Sequence, residues 1–349
     1  MAAGVTRDDD ALRRGVRDWV SCHRPEHSDI VVDDLTRPAA GWSNETVIVS
    51  ISWRIDAGRA RERLVFRLPP PLASFPTYEL HDQERVLAAL AHSCVAVPRV
   101  IAVEDDATWL GAPFLVMSFV DGKPGGEIPA LDPWLKAAPA DRQRAVHEGF
   151  LAALASVHQV DWRATALDGS LRVGMRAELD YWTRYVHWAA APDAPPHALI
   201  KALDWCASTA PDDTRTMSLL WGDARIGNVM YGPEGDVVGL LDWELATIGP
   251  AEMDLGWYLV LDELTTHFVR ASVPGFLGRE AAIEYYERAL GRPVAHLAWH
   301  EVFALVRSIA ISDRQARIAA ASGTSYPGIA GDANPMLRHL DARIASFDG

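Results

Sequence analysis

The spacing of apolar and polar positions changes along the chain near residue 120. Before this point, short alternating runs rich in β-branched residues predict strands at 47–55, 63–68, 97–103 and 114–119. Apolar residues spaced three and four apart predict helices at 9–22 and 78–92. After residue 139 the helical period dominates, which predicts helices at 140–158, 175–190, 197–208, 278–290 and 296–320. The chain therefore combines a small β-rich part with a larger helical part.

Two segments interrupt this division. The Gly- and Pro-rich segment 121–126 predicts a hinge or a boundary between two lobes. Inside the helical part, apolar runs at 229–231 and 237–241 flank a Gly-Pro-Glu-Gly-Asp turn, which predicts one β-hairpin. We therefore expect an α+β chain with an N-lobe at 1–121 and a C-lobe at 122–349.

The charge and composition of the chain exclude several classes of function. Asp and Glu (47) outnumber Lys and Arg (33), which gives a formal net charge of −14. A general nucleic-acid binder needs a basic face, so no nucleic-acid partner is expected. No apolar run approaches the roughly 18 residues of a membrane helix, so no membrane partner is expected either. Three widely spaced cysteines indicate neither a disulfide framework nor a zinc site, and the expected location is a reducing cytoplasm.

A spaced set of polar residues surrounds the predicted hairpin. Asp223 and Asn228 are five residues apart before the hairpin, and Asp242 follows it. A carboxylate can accept the proton of a hydroxyl nucleophile, while an amide oxygen and a second carboxylate suit Mg²⁺. This spacing is typical of the catalytic and metal-binding segments of kinase-type phosphotransferases. Taken singly, the three residues could equally begin a turn, a strand and a helix, and their combination beside one hairpin favours catalysis.

Longer segments around these residues resemble the aminoglycoside phosphotransferase/choline kinase-like family. The segments are LLWGDARIGNVMY at 219–231 and VVGLLDWELATIGPAEMDLGW at 237–257. They are closest to the subgroup related to kinase domains fused to acyl-CoA dehydrogenases. The resemblance extends over about 35–320 and implies a protein-kinase-like, two-lobe α+β fold. It also implies an ATP- and Mg²⁺-dependent kinase, with Asp223 as the catalytic residue, Asn228 and Asp242 as the metal ligands, and a hydroxyl group of a small molecule as the acceptor.

The resemblance further implies roles in nucleotide binding. The loop over the phosphates would consist of Gly41, Trp42, Ser43 and Asn44. The hinge segment that meets the adenine would consist of Ser118, Phe119 and Val120. Without the resemblance, the first segment would be interpreted as a turn and the second as an ordinary buried strand.

A cation that holds the phosphates is also implied, and here the chain departs from the family. The family usually has a lysine on the strand that ends near residue 68, but the first lysine of this chain is Lys123. Arg67 is therefore the candidate, although by itself it would be interpreted as a surface charge of a strand. The resemblance pairs this cation with Glu84 of the following helix, and Glu79 is a second choice.

Four further residues around the motif have alternative interpretations. Arg225 could neutralise phosphate charge or pair with Asp254, and Asp254 is expected to support the catalytic loop. Glu244 could face the acceptor or a basic partner. Trp221 replaces the histidine that the family usually has before Gly-Asp. Because tryptophan can donate but not accept a hydrogen bond, the loop must be braced differently.

Two classes of function therefore compete. The first is a kinase of small-molecule alcohols, and the second is a non-catalytic, nucleotide-binding pseudokinase or scaffold on the same fold. Trp221 and Arg67 favour the second, whereas the joint presence of the three motif residues favours the first. The acceptor stays open among aminoglycosides, macrolides, choline-like alcohols, sugars and hydroxyacyl groups. We expect aminoglycosides to be poor substrates because the dehydrogenase-linked subgroup is the closer match.

Overall fold

The computed structural model describes residues 7–38, 43–167, 169–190, 196–212, 217–324 and 334–347. A sheet occupies the N-terminal part of the described chain, and most of its helices follow residue 130. The helices are α1 (Asp9–His23), α2 (Leu80–Leu90), α3 (Pro133–Ala137), α4 (Ala140–His158), α5 (Gly174–Ala189), α6 (His197–Thr209), α7 (Glu252–Val269), α8 (Arg279–Leu290), α9 (Leu297–Ala321) and α10 (Met336–Ala345). The described chain is thus α+β.

The N-terminal sheet has five antiparallel strands in the order β1-β2-β3-β5-β4. They are β1 (Ser28–Thr36), β2 (Glu45–Ile55), β3 (Gly58–Leu68), β4 (Val100–Glu104) and β5 (Phe114–Ser118). A tight turn joins β2 to β3, with Ile55 opposite Gly58. The same register sets Thr46 opposite Arg67, so Arg67 lies close to the residues that precede β2.

Alternate residues of β5 enter two different hydrophobic cores. Phe114 and Val116 belong to a smaller core that also contains the buried face of α1. Leu115 and Met117 belong to a larger core that contains α2 and continues through the helical part. Since successive side chains of a strand point to opposite faces, α1 and α2 cover opposite sides of the sheet. The larger core anchors the sheet to the helices.

Five short strands lie within the helical part of the chain. They are β6 (Lys123–Pro124), β7 (Met217–Leu220), β8 (Val229–Tyr231), β9 (Val237–Leu240) and β10 (Thr247–Pro250). β8 and β9 form the predicted hairpin, β6 pairs with β8, and β7 pairs with β10. The Leu241 N–H donates to the Asn228 carbonyl at 2.8 Å, so the loop before the hairpin and the loop after it are adjacent.

The structure contains elements that the sequence pattern did not predict, namely β1, β6, β7, β10, α3, α7 and α10. Of these, α7 matters most for the site because it lies in the larger core and packs against α9. Within the described stretches, no helix has the length and apolar character needed to span a membrane.

Candidate active site

A cavity of about 290 Å³ lies between the sheet and the loops of the helical part. Part of its lining is apolar and includes Ile48, Val65, Leu87 and Met117. The predicted site residues that line it are Ser43, Asn44, Arg67, Ser118, Phe119, Val120, Arg225, Asn228 and Asp242. Two others, Gly41 and Trp42, lie outside the described residues. A cavity with an apolar part and a charged part suits a ligand with a flat ring and an anionic group.

Asp223 lies in the loop between β7 and β8, next to two of the cavity-lining residues. Its Oδ2 accepts hydrogen bonds from Arg225 Nε at 2.9 Å and from Asn228 Nδ2 at 2.7 Å. Its Oδ1 accepts one from Trp257 Nε1 at 2.9 Å. Burial acts to raise the pKa of Asp223, but the charge and hydrogen bonds of its partners hold that pKa below its usual value. The carboxylate is therefore ionised at neutral pH and able to accept a hydrogen bond from a hydroxyl.

The backbone before Asp223 is held by Asp254, a fully buried residue of α7. The Asp254 carboxylate accepts hydrogen bonds from the backbone N–H of Trp221 at 2.7 Å and of Gly222 at 3.0 Å. It also lies 3.1 Å from Nε2 of His158. These contacts make Asp254 a support of the loop that carries Asp223, and the structure does not pair it with Arg225.

Gly222 and Trp221 connect this loop to the loop after β9. Gly222 has a φ of 87°, and a Cβ there would lie 2.1 Å from the carbonyl oxygen of Leu245, so only glycine fits the close approach. The buried indole of Trp221 donates from Nε1 to the Leu241 carbonyl at 2.7 Å. Trp221 thus braces the loop by donating a hydrogen bond, which is the one role that its side chain allows.

Arg67 meets the two carboxylates that follow β9. Its Nη2 lies 2.7 Å from Asp242 Oδ1 and 3.8 Å from Glu244 Oε2. Asp242 has a φ of 63°, which is uncommon for a residue other than glycine and is found at strained functional sites. Burial, together with repulsion from Asp242, raises the pKa of Glu244 to about 8. The guanidinium of Arg67 therefore lies between Asp242 and a Glu244 carboxyl that is largely protonated at neutral pH.

Unpartnered polar atoms occur at the same place. Asn44 donates from Nδ2 to Glu244, but its buried Oδ1 has no hydrogen-bond partner within the described chain. The same is true of the buried Nε of Arg67. Because buried polar atoms in proteins are nearly always hydrogen-bonded, one unpaired acceptor and one unpaired donor indicate room for a polar ligand.

The predicted pair between Glu84 and Arg67 is not formed. The Glu84 side chain is 40% exposed and lies 3.2 Å from His81, while Glu79 is also exposed. The residue of α2 that lines the cavity is Gln83, which is 3% exposed. One residue corresponds to about 100° around a helix, so Glu84 lies at the edge of the inward face instead of on it.

Three residues near Asp223 were not singled out from the sequence. Glu127 forms an ion pair with Arg225. Trp257 follows Asp254 by three residues in α7, so helical spacing contained a signal for it. Arg307 of α9 donates from Nη2 to the Gly222 carbonyl at 2.7 Å from 85 residues away, a contact with no local signal.

Oxygen donors for a metal ion are present, although few. The described stretches contain no group of three or more His, Cys, Asp or Glu side chains arranged to hold an ion. Asn228 and Asp242 both line the cavity, and the Nδ2 of Asn228 points to Asp223, which leaves its amide oxygen for a ligand. Two protein oxygens are enough for Mg²⁺, which usually keeps water and phosphate oxygens as its other ligands.

The sequence of the chain is similar to those of several known proteins. Residues 34–297 match the profile described as the phosphotransferase enzyme family. Probable acyl-CoA dehydrogenase IBR3 of Arabidopsis thaliana is 29% identical over 327 residues, which are 87% of this chain and 38% of that protein. Acyl-CoA dehydrogenase family member 11 of Homo sapiens is 30% identical over 200 residues, 56% of this chain and 24% of that protein. The chain spans well under half the length of these relatives.

Solved structures agree with the fold. A thermostable mutant of the aminoglycoside phosphotransferase APH(4)-Ia, in a ternary complex with ADP and hygromycin B, superposes with a TM-score of 0.57 at 15% identity. The match covers 96% of this chain and 99% of that one. The α+β, protein-kinase-like fold class that the sequence predicts is therefore confirmed.

Proposed function

The chain belongs to the phosphotransferase enzyme family, as its sequence predicted, and from this we propose that it is an ATP-dependent, Mg²⁺-assisted kinase. The acceptor is a hydroxyl group of a small molecule. The observation that carries the proposal is one arrangement: Asp223 accepts a hydrogen bond from Asn228, and Asn228 lines the same partly apolar cavity as Asp242. Two metal-compatible oxygens thus line a space suited to a nucleotide, and a proton acceptor is hydrogen-bonded to one of the residues that supply them.

The nucleotide occupies the 290 Å³ cavity in this proposal. Its base lies against Leu87 and Met117 and meets the backbone of residues 118–120, and its phosphates extend towards Arg67, Ser43 and Asn44. The unpartnered Nε of Arg67 supports this orientation, because a phosphate oxygen would satisfy it. We accordingly assign nucleotide binding to the lobe at 1–121 and catalysis to the lobe at 122–349.

Asn228 and Asp242 are the proposed ligands of Mg²⁺. When bound, the ion neutralises the negative charge of the phosphates during transfer. The chain supports this with one amide and one carboxylate oxygen at adjacent backbone positions. Arg67 assists them by holding Asp242 in place.

Asp223 orients the acceptor hydroxyl and takes its proton. The hydroxyl oxygen forms a bond to the γ-phosphorus while the bond from that phosphorus to the bridging oxygen of ADP breaks. The products are a phosphate ester and ADP, and the proton resides on Asp223 until it passes to water. A positioned general base of this kind contributes about 10²- to 10⁴-fold in rate.

The acceptor is proposed to be other than a typical aminoglycoside. A polycationic sugar needs carboxylates around the acceptor hydroxyl. Asp262 and Glu263, the acidic pair of α7, line a second cavity of about 390 Å³ that shares no lining residue with the first. An acceptor screen read by ADP release tests this expectation, and strong kanamycin-dependent ADP release would overturn it.

The kinase proposal is tested by comparing wild type with Asp223→Ala and with Asp262→Ala as a matched acidic control. We expect Mg²⁺-ATP to bind all three proteins, and ADP release to water or hydroxyl acceptors to fall about 10²- to 10⁴-fold in Asp223→Ala only. A wild type that binds Mg²⁺-ATP yet releases no more ADP than Asp223→Ala would refute the proposal.

One observation favours the alternative, a nucleotide-binding protein without catalysis. Nη2 of Arg67 lies 2.7 Å from Oδ1 of Asp242, so Arg67 already pairs with a proposed metal ligand. If this pair persists with nucleotide bound, ATP binding is independent of Mg²⁺. The same experiment separates the two functions, because the alternative predicts binding without turnover and without a Mg²⁺ requirement.

A further inference from the structure

The two oxygens of the Asp223 carboxylate have different surroundings. Oδ2 accepts two hydrogen bonds, from Arg225 and Asn228, which use both of its lone pairs. Oδ1 accepts a single hydrogen bond, from Trp257 Nε1 at 2.9 Å. Among the contacts described for this side chain, Oδ1 is therefore the oxygen with a lone pair left for the proton of an acceptor hydroxyl.

The group that holds Oδ1 is unusual in its chemistry. An indole N–H is a neutral donor that cannot accept a proton, so it can direct a carboxylate oxygen without competing for the acceptor's proton. A charged donor at the same place would bind the carboxylate more strongly and make it less basic. Trp257 is 4% exposed, so its ring has little freedom to turn away.

Arg307 of α9 connects this indole to the backbone of the same loop. Its guanidinium carbon lies 4.6 Å from the ring centre of Trp257 and 5.0 Å from that of Trp182. Its Nη2 donates to the Gly222 carbonyl, one residue before Asp223, at 2.7 Å. A single buried side chain, 2% exposed, thus contacts both the indole that binds the carboxylate and the peptide that carries it.

We propose that Trp257 and Arg307 act as one positioning pair that turns Oδ1 of Asp223 towards the acceptor hydroxyl. This inference rests on the proposed kinase function and deepens it. Trp257 acts through its hydrogen bond to Asp223, and Arg307 acts through Trp257 and the Gly222 peptide, so both are positioning residues. The pair predicts that loss of the indole N–H lowers the rate of transfer while nucleotide binding is kept.

The experiment replaces Trp257 with Phe, which removes the N–H and keeps an aromatic face for Arg307. The matched control is Trp299→Phe in α9, because Trp299 is also buried and its Nε1 donates to Thr209 at 3.1 Å, a partner outside the site. Trp257→His, assayed at a pH at which the imidazole is neutral, is the rescue variant, because its ring N–H is then again a neutral donor. ADP release, Mg²⁺-ATP affinity and thermal unfolding are measured for each protein.

We expect Trp257→Phe to lower kcat by about 10- to 100-fold, with the Kd of Mg²⁺-ATP changed less than about twofold. Trp299→Phe should leave kcat and the Kd of Mg²⁺-ATP within about twofold of wild type. Trp257→His should recover part of the kcat that Trp257→Phe loses. Arg307→Lys should also lower kcat, and the double variant with Trp257→Phe should lose no more than the worse single one, because the two act as a unit.

Three results would overturn the pairing. Equal kcat in Trp257→Phe and Trp299→Phe would show that the N–H has no special role. A Trp257→His variant less active than Trp257→Phe would show that packing alone is affected, and strictly additive losses in the double variant would show that the two residues act independently. Wild-type ADP release no higher than that of Asp223→Ala is a different outcome, since it would remove the kinase proposal and the inference together.

Discussion

The two loops that bring carboxylates to the cavity are held in different ways. The loop at 221–228, which carries Asp223, is fixed by three buried side chains of α7 and α9 that satisfy its backbone and its carboxylate. The loop at 241–246 carries Asp242 and Glu244, and one arginine of the sheet opposes both. The carboxylate of the first loop is held by residues of the core, whereas the carboxylates of the second loop are opposed by a residue across the cavity.

The loop at 221–228 is therefore preorganised without a ligand, whereas the loop at 241–246 becomes more stable when a ligand binds. Asp223 has every strong partner it needs to stay ionised, and its pKa lies below the usual value. Glu244 shares its surroundings with a second carboxylate, and its pKa is raised. A cation bound near Asp242 therefore stabilises the second loop more than the first, as expected where a metal ion is to be held.

The largest effect is expected from breaking the second loop at Asp242. Asp242→Ala removes a proposed metal ligand and leaves Arg67 with Glu244 alone, so kcat/KM for Mg²⁺-ATP should fall about 10³-fold. The measurement is ADP release over a series of Mg²⁺ concentrations, with Asp262→Ala as the control that keeps wild-type activity. A loss below about tenfold would mean that the two loops do not differ in their need for a cation.

The next largest effect is expected from removing the support of the first loop. Asp254→Ala leaves two backbone N–H groups and His158 without their acceptor, so the free energy of unfolding should drop by about 3 kcal/mol. Asp254→Asn keeps an acceptor oxygen and should lose about 1 kcal/mol. Urea unfolding checks both values, and equal losses in the two variants would contradict a role as hydrogen-bond acceptor.

A moderate effect is expected from changing the cation shared by Asp242 and Glu244. Arg67→Lys keeps the charge but replaces a planar fork by a point charge, so it cannot hold both carboxylates in the same geometry. We expect kcat/KM for ATP to fall about 30-fold, which corresponds to about 2 kcal/mol. Arg85→Lys, at a largely exposed position of α2, is the control. Full activity of Arg67→Lys would indicate that charge alone is required there.

Much of the fold could be predicted because amphipathic helices and strands each have a characteristic spacing of apolar residues. The helix predicted at 140–158 is observed as α4 (Ala140–His158), and 9–22 as α1 (Asp9–His23). By contrast, α7 was missed because residues 252–260 are all buried, which leaves no polar stripe in its first half. β1 was missed for the opposite reason, since it is an edge strand with mostly exposed residues.

Some residues of the site could be identified from the local sequence, whereas others depend on contacts between segments that are far apart in the sequence. The motif residues around the hairpin could be identified from their spacing, and the hairpin brings Asn228 and Asp242 together. The partner of Arg67 could not be identified, because it depends on how the sheet packs on the hairpin loops and not on the period of α2. Arg307 was out of reach for the same reason, as its partner lies 85 residues earlier.

The smallest effect is expected at Trp221, where the two loops meet. Trp221→Phe keeps most of the buried ring but removes the N–H that binds the Leu241 carbonyl, so the free energy of unfolding should fall by about 1.5 kcal/mol. If the indole couples the loops, the same change should also weaken the Mg²⁺ dependence of ATP binding, because Asp242 follows Leu241 directly. Trp299→Phe loses a buried indole hydrogen bond elsewhere and should affect stability alone. An unchanged Mg²⁺ dependence in Trp221→Phe would mean that the first loop does not support the second, and that the two halves of the site are held independently.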